Sequence, residues 1–395
     1  MKLLSIEPTP SPNSMKLNVD ETLPRGFRHT YYPAQASDAP EPLRPLLAIE
    51  GVRSLFRTAD FIALDRLPSA DWQRILSEAR RLLSSGDEAE GAASSGAAPA
   101  ADGFGEAHVL VQQYRGIPMQ VRVRIGEREV RAAMTQRFVD AVQAAAGATM
   151  IRERKLEEFG VRYGEPEEIA AEIVRELEAA YTEERLAALI QASLEQGPEA
   201  PVDAPVRPAP LSAGEVLAAF GSADWQSRYA ALDRLSESTP EALPMLQQAI
   251  GDENASIRRL AVVYLGDLRS AEAMPLLFDA LKDKSVSVRR TAGDTLSDIG
   301  DPAAIGPMIE ALRDKNKLVR WRAARFLYEA GDESALEPLR EAAADPEFEI
   351  SLQATMAVER IERGEEAAGS VWQQMTQRNR SNSSSADDDD SGERA

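Results

Sequence analysis

From residue 213 to 363 the apolar positions recur every three or four residues, which is the period of a buried helix face. The sets Ile257/Ala261/Leu265, Val288/Ala292/Leu296 and Val319/Ala323/Leu327 are in register with one another. The polar residues keep the same step: Asp252-Glu-Asn-Ala-Ser-Ile-Arg258, Asp283-Lys-Ser-Val-Ser-Val-Arg289 and Asp314-Lys-Asn-Lys-Leu-Val-Arg320 start 31 residues apart. A fixed period of this length predicts stacked helical pairs. Pro244, Pro275, Pro307 and Pro338 open the first helix of four units, where a missing N–H costs nothing. Gly266, Gly300 and Gly331 stand where second helices should stop. Upstream, Arg228, Ala231 and Leu235 continue the register; downstream, Asp345, Ile350, Ala354 and Val358 hold it, with Ser351 in place of the arginine. The pattern predicts about five helical pairs over 213–363.

Before residue 200 the period shortens. Residues 3–6 and 15–19 predict strands around the proline-rich turn Glu7–Ser14, and 52–56 and 61–64 predict a hairpin turning at Ala59-Asp60. Residues 42–49 predict a helix, and 69–83 an amphipathic one with Trp72, Ile75, Ala79, Leu82 and Leu83 inward and Ser69 as N-cap. A second α/β unit follows. Strands are predicted at 108–114 and 119–125 around Arg115-Gly-Ile-Pro118, with a third at 127–132. Helices are predicted at 136–146, with Phe138, Val139 and Val142 inward, at 166–181, and at 183–194 with Thr182 as its cap. The charged stretch 150–163 is predicted extended. The domains expected are 1–86, 106–196 and 213–363, separated by an Ala/Gly/Ser-rich linker at 87–105 and a proline-rich one at 197–212, with an acidic tail at 380–395. The fold class is α/β plus all-α: two small α/β domains and a helical solenoid.

Charge and composition narrow the function. The chain carries 45 basic and 65 acidic side chains, a net −20, which opposes non-specific binding to nucleic acid or an anionic membrane. With no cysteine there is no disulfide, thiolate metal site or thiol nucleophile. His29 and His108 fall in different domains, so neither a metal nor a cofactor is expected, and no catalytic constellation emerges. The first residues lack the apolar run of a signal peptide and no stretch is long enough to span a bilayer, so a cytoplasmic location is expected.

The Asp…Val-Arg-x-x-Ala-x-x-x-Leu series resembles HEAT repeats in the short form of bilin-lyase-like proteins. That resemblance implies that the Val-Arg helices line a concave face and that Asp and Arg hydrogen-bond around the turn within each pair. Glu7-Pro-Thr-Pro-Ser-Pro-Asn-Ser-Met-Lys16, Leu46-x-x-Ile-Glu-Gly-Val-Arg-Ser-Leu-Phe56 and Asp60-Phe-Ile resemble the N-terminal domain of Nfu-type iron–sulfur scaffolds. The Cys-x-x-Cys that holds a cluster in those scaffolds has no counterpart here. With Tyr114-Arg-Gly-Ile-Pro-Met119 and Phe159-Gly-Val-Arg-Tyr-Gly164 between them, the order of parts resembles the bacterial conserved virulence factor C family, over about residues 1–365. That resemblance brings no chemical reaction with it.

Two groups are candidate partner sites. Tyr229, Arg259, Arg290 and Trp321 occupy the column after each arginine, and Arg325 and Tyr328 share a face with Trp321. By helical phase residue 259 points away from the core set 257/261/265, and exposed Arg, Tyr and Trp dominate binding hot spots. Such a stripe suits an acidic segment of a partner or the chain's own acidic tail, and changing Arg259 and Arg290 together to alanine should then spare folding. The other reading puts Trp321 and Tyr328 in the seam between repeats. The second group is Glu7, Asn13, Ser14 and Lys16 beside the proline-rich loop, either a docking site or ordinary turn chemistry. The function expected is a non-enzymatic scaffold or adaptor that binds protein on the concave face. The alternative is an accessory of iron–sulfur assembly that docks through the N-terminal domain without holding a cluster.

Overall fold

The computed structural model describes residues 1–9, 11, 13–24, 27–67, 70–83, 106–126, 128–146, 154–196 and 208–364. The linker 87–105, most of the linker 197–212, the tail 380–395, and the cap expected at Ser69 lie outside them. The described chain forms two compact units: residues 1–106, 125–128 and 345–353 make the first, and the remainder the second.

The first unit is built on a five-stranded antiparallel sheet. Its strands are β1 (Leu3–Pro8), β2 (Ser14–Val19), β3 (Arg28–Tyr31), β4 (Val52–Thr58) and β5 (Phe61–Arg66), ordered β1-β2-β5-β4-β3. Helices α1 (Arg44–Leu47) and α2 (Trp72–Leu83) accompany it. Alternation on β2 and β5 sends Leu17, Ile62 and Leu64 into a core that Trp72, Ile75 and Ala79 of α2 share. Ala59 turns the β4–β5 hairpin at φ 44°, as its position predicts. β3 is an element the pattern did not predict, because at four residues it is too short to display an alternation.

The second unit begins with a four-stranded sheet of β6 (Glu106–Tyr114), β7 (Ile117–Ile125), β8 (Arg128–Ala133) and β9 (Lys155–Tyr163), ordered β8-β7-β6-β9. Arg115 and Gly116, both at positive φ, close the β6–β7 hairpin in two residues. The turn is thus shorter than the four residues expected, and Pro118 enters β7 opposite the register shift at Gln112/Gln113, where no ladder N–H is required. Helices α3 (Gln136–Ala146), α4 (Pro166–Ala180) and α5 (Glu183–Gln196) follow. Phe138 and Val142 are buried in α3 as expected, but Val139, one residue off the stripe, is exposed. The Thr182 hydroxyl accepts the Arg185 N–H at 3.3 Å and caps α5.

Five helical pairs follow, all in this unit except residues 348–353 at the opening of the last helix. They are α6 (Ala213–Ala219) with α7 (Trp225–Leu232), α8 (Leu243–Ala249) with α9 (Ala255–Leu268), α10 (Met274–Ala280) with α11 (Val286–Ile299), α12 (Ile305–Ala311) with α13 (Lys317–Ala330), and α14 (Leu336–Ala342) with α15 (Phe348–Glu362). The register residues Ile257, Ala261, Leu265, Val288, Ala292, Leu296, Ala323 and Leu327 are 0–1% exposed in one continuous core. Helix α11 stops at Gly300 in the left-handed region and α13 just before Gly331, both as predicted. Gly266 is different. It lies inside α9, where a Cβ would come within 2.4 Å of Thr295 Cγ2, and Arg269 takes the left-handed cap instead. The absent side chain serves close approach of α9 to α11.

Candidate protein-binding surfaces

The repeated arginines and aspartates form a ladder. Arg258 Nε and Nη2 donate to the two carboxylate oxygens of Asp283 at 2.7 and 2.8 Å, while Nη1 donates to the carbonyls of Asp252 and Glu253 at 2.9 Å. Arg228 grips Asp252 and Arg289 grips Asp314 in the same way. The acceptor therefore belongs to the following repeat, and the bond runs between pairs as well as around the turn of one pair. Each aspartate also accepts the backbone N–H two residues on: Asn254, Ser285 or Asn316 at 2.7–2.8 Å. A bidentate guanidinium–carboxylate pair fixes geometry as well as charge.

The column next to this ladder is buried. Tyr229, Arg259, Arg290, Trp321 and Arg325 are between 2% and 6% exposed, and Tyr328 is half-buried. The expectation of an open stripe is corrected, because the helical phase counted only the core beneath α9, α11 and α13. A second layer from the same unit, β9 and α4, covers their other side. Both oxygens of Glu176 accept from Arg259 Nη2 at 3.1 Å, and Arg162 Nη2 stands 3.7 Å from the same carboxylate. The Arg290 guanidinium lies 4.0 Å from the Tyr163 ring centre and 5.8 Å from that of Trp321, and it pairs with Asp294. Ser287 Oγ donates to Glu172 at 3.4 Å. Arg322 reaches Asp294 at 2.6 Å, and Arg325 bonds Glu329 one turn on at 2.8 Å.

Burial sets the electrostatics of this seam. Desolvation works against the charge on Arg259, but Glu176, Tyr229 and Glu172 together hold its pKa above the usual value. Burial, reinforced by Arg259, lowers the Arg162 guanidinium. Burial, then the neighbouring Glu176, pushes the Glu172 carboxyl up. The same desolvation, aided by Glu176, raises Tyr229 well above its ordinary value. The acceptors Glu172 and Glu176 were not singled out from the sequence, and the covering side chains Arg162 and Tyr163 stood in the Phe159–Gly164 motif without a role assigned to them. One signal was present: α13 buries Leu318, Val319, Trp321, Ala324 and Phe326, and an apolar character on more than one side belongs to a helix covered on both.

The other candidate group is tied into the first unit's sheet. Glu7 and Lys16 are cross-strand partners whose side chains pair at 2.8 Å, and Glu7 also accepts from Asn18 at 2.5 Å. Asn13 Oδ1 accepts from buried Arg66 at 3.3 Å, and the Ser14 carbonyl accepts the Thr9 hydroxyl at 2.9 Å. Glu7, Asn13, Ser14 and Lys16 stay half-buried. His29 and His108 are both exposed, and His108 faces Glu158 at 3.6 Å. Among the described residues no group of three or more His, Asp or Glu is arranged to hold a metal, and no helix is long and apolar enough to cross a membrane.

Comparison with known proteins matches three stretches of the chain. A model of the scaffold protein Nfu/NifU N-terminal family matches residues 4–88. A virulence factor family model matches 112–190, and HEAT repeats match 215–293 and 274–359. A Bacillus subtilis protein, YpgR, is 52% identical over 95% of this chain and 98% of its own length. Conserved virulence factor C of Staphylococcus aureus is 45% identical over 96% of this chain and all of its own. The Staphylococcus saprophyticus protein of that name is 37% identical over the same shares. Across nearly its whole length, this chain belongs to the conserved virulence factor C family.

Proposed function

We propose that the protein is a non-enzymatic scaffold that acts by binding other proteins, within the virulence-related role that the names of its relatives indicate. One observation carries this reading: the inner arginine column of the repeat array already grips a folded protein surface. Arg259 and Arg290 hold Glu176 and Tyr163 of the adjoining α/β layer, as hot-spot arginines hold a partner. The array is thus committed on that side to its own chain, and contacts with other proteins fall to surfaces still open. The loop side of the first unit, with Glu7, Asn13, Ser14 and Lys16, is the surface we assign to a partner. An accessory role in iron–sulfur delivery is not favoured, since the scaffold-like match is confined to residues 4–88 while the Staphylococcus relatives that match nearly the whole chain are named for virulence.

The test is affinity capture from a bacterium that expresses the chain, comparing the full-length protein with Lys16→Ala and with the salt-bridge reversal Glu7→Lys plus Lys16→Glu. A discrete partner retained at a fixed ratio and weakened at least about tenfold by Lys16→Ala supports the reading; that factor corresponds to about 1.4 kcal/mol. A partner bound equally well by both variants moves the site elsewhere on the scaffold. Catalytic turnover of a small molecule by the purified chain ends the scaffold reading.

A further inference from the structure

With the inner column buried, a cluster of exposed basic side chains stands at two consecutive turns of the array. Lys282 and Lys284 flank Asp283, and Arg313 and Lys315 flank Asp314, so the same two flanking positions are basic in consecutive repeats. The turns on either side differ: Gly251 and Glu253 flank Asp252, and Ala344 and Pro346 flank Asp345. These four cations border an open groove of about 870 Å³ whose apolar floor includes Leu281, Val286, Pro307 and Ala311. Asp283 and Asp314 do not cancel them, because each is turned into its bidentate bond with Arg258 or Arg289. Lys282 meets Glu310 at 2.7 Å and Arg313 meets Glu341 at 2.6 Å, but all four of these side chains are about two-thirds exposed. Pairs so exposed are weak and exchange readily for another carboxylate.

We infer that this groove binds the chain's own acidic C-terminal segment, Asp387–Asp390. The charges are complementary on a molecule of net −20. The spacing also fits. Four consecutive residues, if extended, span about 10 Å, and neighbouring helices in a stack lie about 8–10 Å apart. The segment starts from the right neighbourhood: Glu362, at the end of α15, accepts from Arg340 of α14 at 2.6 Å, and Glu341, next to Arg340 on α14, accepts from Arg313. The chain between Gly364 and Asp387 spans at most about 80 Å, so reach does not limit the contact. Tethering makes the encounter intramolecular, at an effective concentration that rewards even a weak site. The bound tail keeps foreign acidic segments off the ridge until they displace it.

The absence of cysteine gives a clean test on the full chain. A nitroxide on Ser391→Cys should broaden the methyl signals of Val286 and Ala311. The broadening should disappear in Lys284→Glu plus Lys315→Glu, and also when Asp387–Asp390 are all changed to Asn, which leaves the array untouched. Raising salt from about 0.1 to about 1 M, which cuts the screening length from about 10 to about 3 Å, should remove most of it. No broadening at these methyls, or broadening that survives both charge changes, overturns the inference. If the tail leaves no mark but an unrelated Asp-rich peptide shifts the same methyls, the groove serves another protein and the inference about the tail falls.

Discussion

Glu176 is the residue on which the second unit's seam turns. It is 1% exposed and serves two guanidinium groups, one from β9 and one from α9. Removing one member of a buried ion pair leaves an uncompensated charge, so Glu176→Gln should cost about 3–5 kcal/mol in denaturant unfolding. Replacing Glu176, Arg259 and Arg162 together by apolar residues of similar size should recover most of that loss, because the desolvation of all three charges disappears. The double change Arg259→Ala plus Arg290→Ala, harmless on an open stripe, now removes two buried anchors and should lower the melting temperature. Glu172 carries the opposite sign. Its pKa is raised by burial and by Glu176, with Arg259 and Arg162 opposing, so the folded state favours the protonated acid. A raised folded pKa contributes stability that is complete below the unfolded value, near 4.3, and is lost as pH rises through the folded value. Glu172→Gln should therefore raise stability at neutral pH, and the advantage should shrink and vanish as pH falls toward about 4.3. A pH series of thermal melts on the two proteins checks the sign.

At the scale of elements, stacking is set by small residues as much as by large ones. The Gly266 backbone in α9 lies against Thr295 of α11, and an added Cβ would meet Thr295 Cγ2 at 2.4 Å. Gly266→Ala gains helix propensity, about 1 kcal/mol, but overpacks the contact, which typically costs about 1–3 kcal/mol. The net effect should be destabilising, and Thr295→Ala, which deletes the clashing methyl, should reverse it. Chemical denaturation of the single and double variants separates the two terms. If Gly266→Ala alone is stabilising, the glycine is a propensity defect and does not serve packing. The arginine–aspartate ladder adds specificity of register, since each arginine donates its bidentate pair to a carboxylate one repeat away.

At the scale of the whole molecule, the compact units do not follow the order of the chain. Residues 345–353, the opening of α15 and the turn before it, cluster with the first unit, although the repeat register assigns them to the array. Phe348 and Leu352 pack against that unit's core, and Glu349 meets Arg66 at 2.6 Å, a guanidinium 3% exposed that also lies 5.1 Å from the Trp72 ring centre. Leu352→Ala should therefore weaken the first unit's core, by less than the 2–5 kcal/mol of a fully buried leucine. Hydrogen exchange at the Leu55 and Leu64 amides reports it. Unchanged protection there would mean that the N-terminal sheet is indifferent to the last helix, as an N-terminal domain joined only by a linker would be.

Register in the repeats was decided locally. An apolar residue every three or four positions, returned every 31, leaves one way to stack short helical pairs, so the core of Ile257, Leu265, Leu296 and Leu327 was legible without coordinates. So were most strands of the first sheet, the cap at Thr182 and the stop at Gly300, because each depends on a few neighbouring residues. What covers the second helices was not local. Periodicity tells which side of a helix faces its own core, but it carries no information about a layer supplied from residues 155–180. The burial of Tyr229, Arg259, Arg290 and Trp321 was therefore decided only by tertiary structure: Arg259 meets Glu176, 83 positions earlier in the chain, and Arg290 meets Tyr163, 127 positions earlier. The same holds for Gly266: its sequence position suits a helix end, and only the approach of Thr295 makes it a packing residue. Spacing along one chain fixes the face a residue occupies, whereas the partner of that face depends on contacts between distant segments.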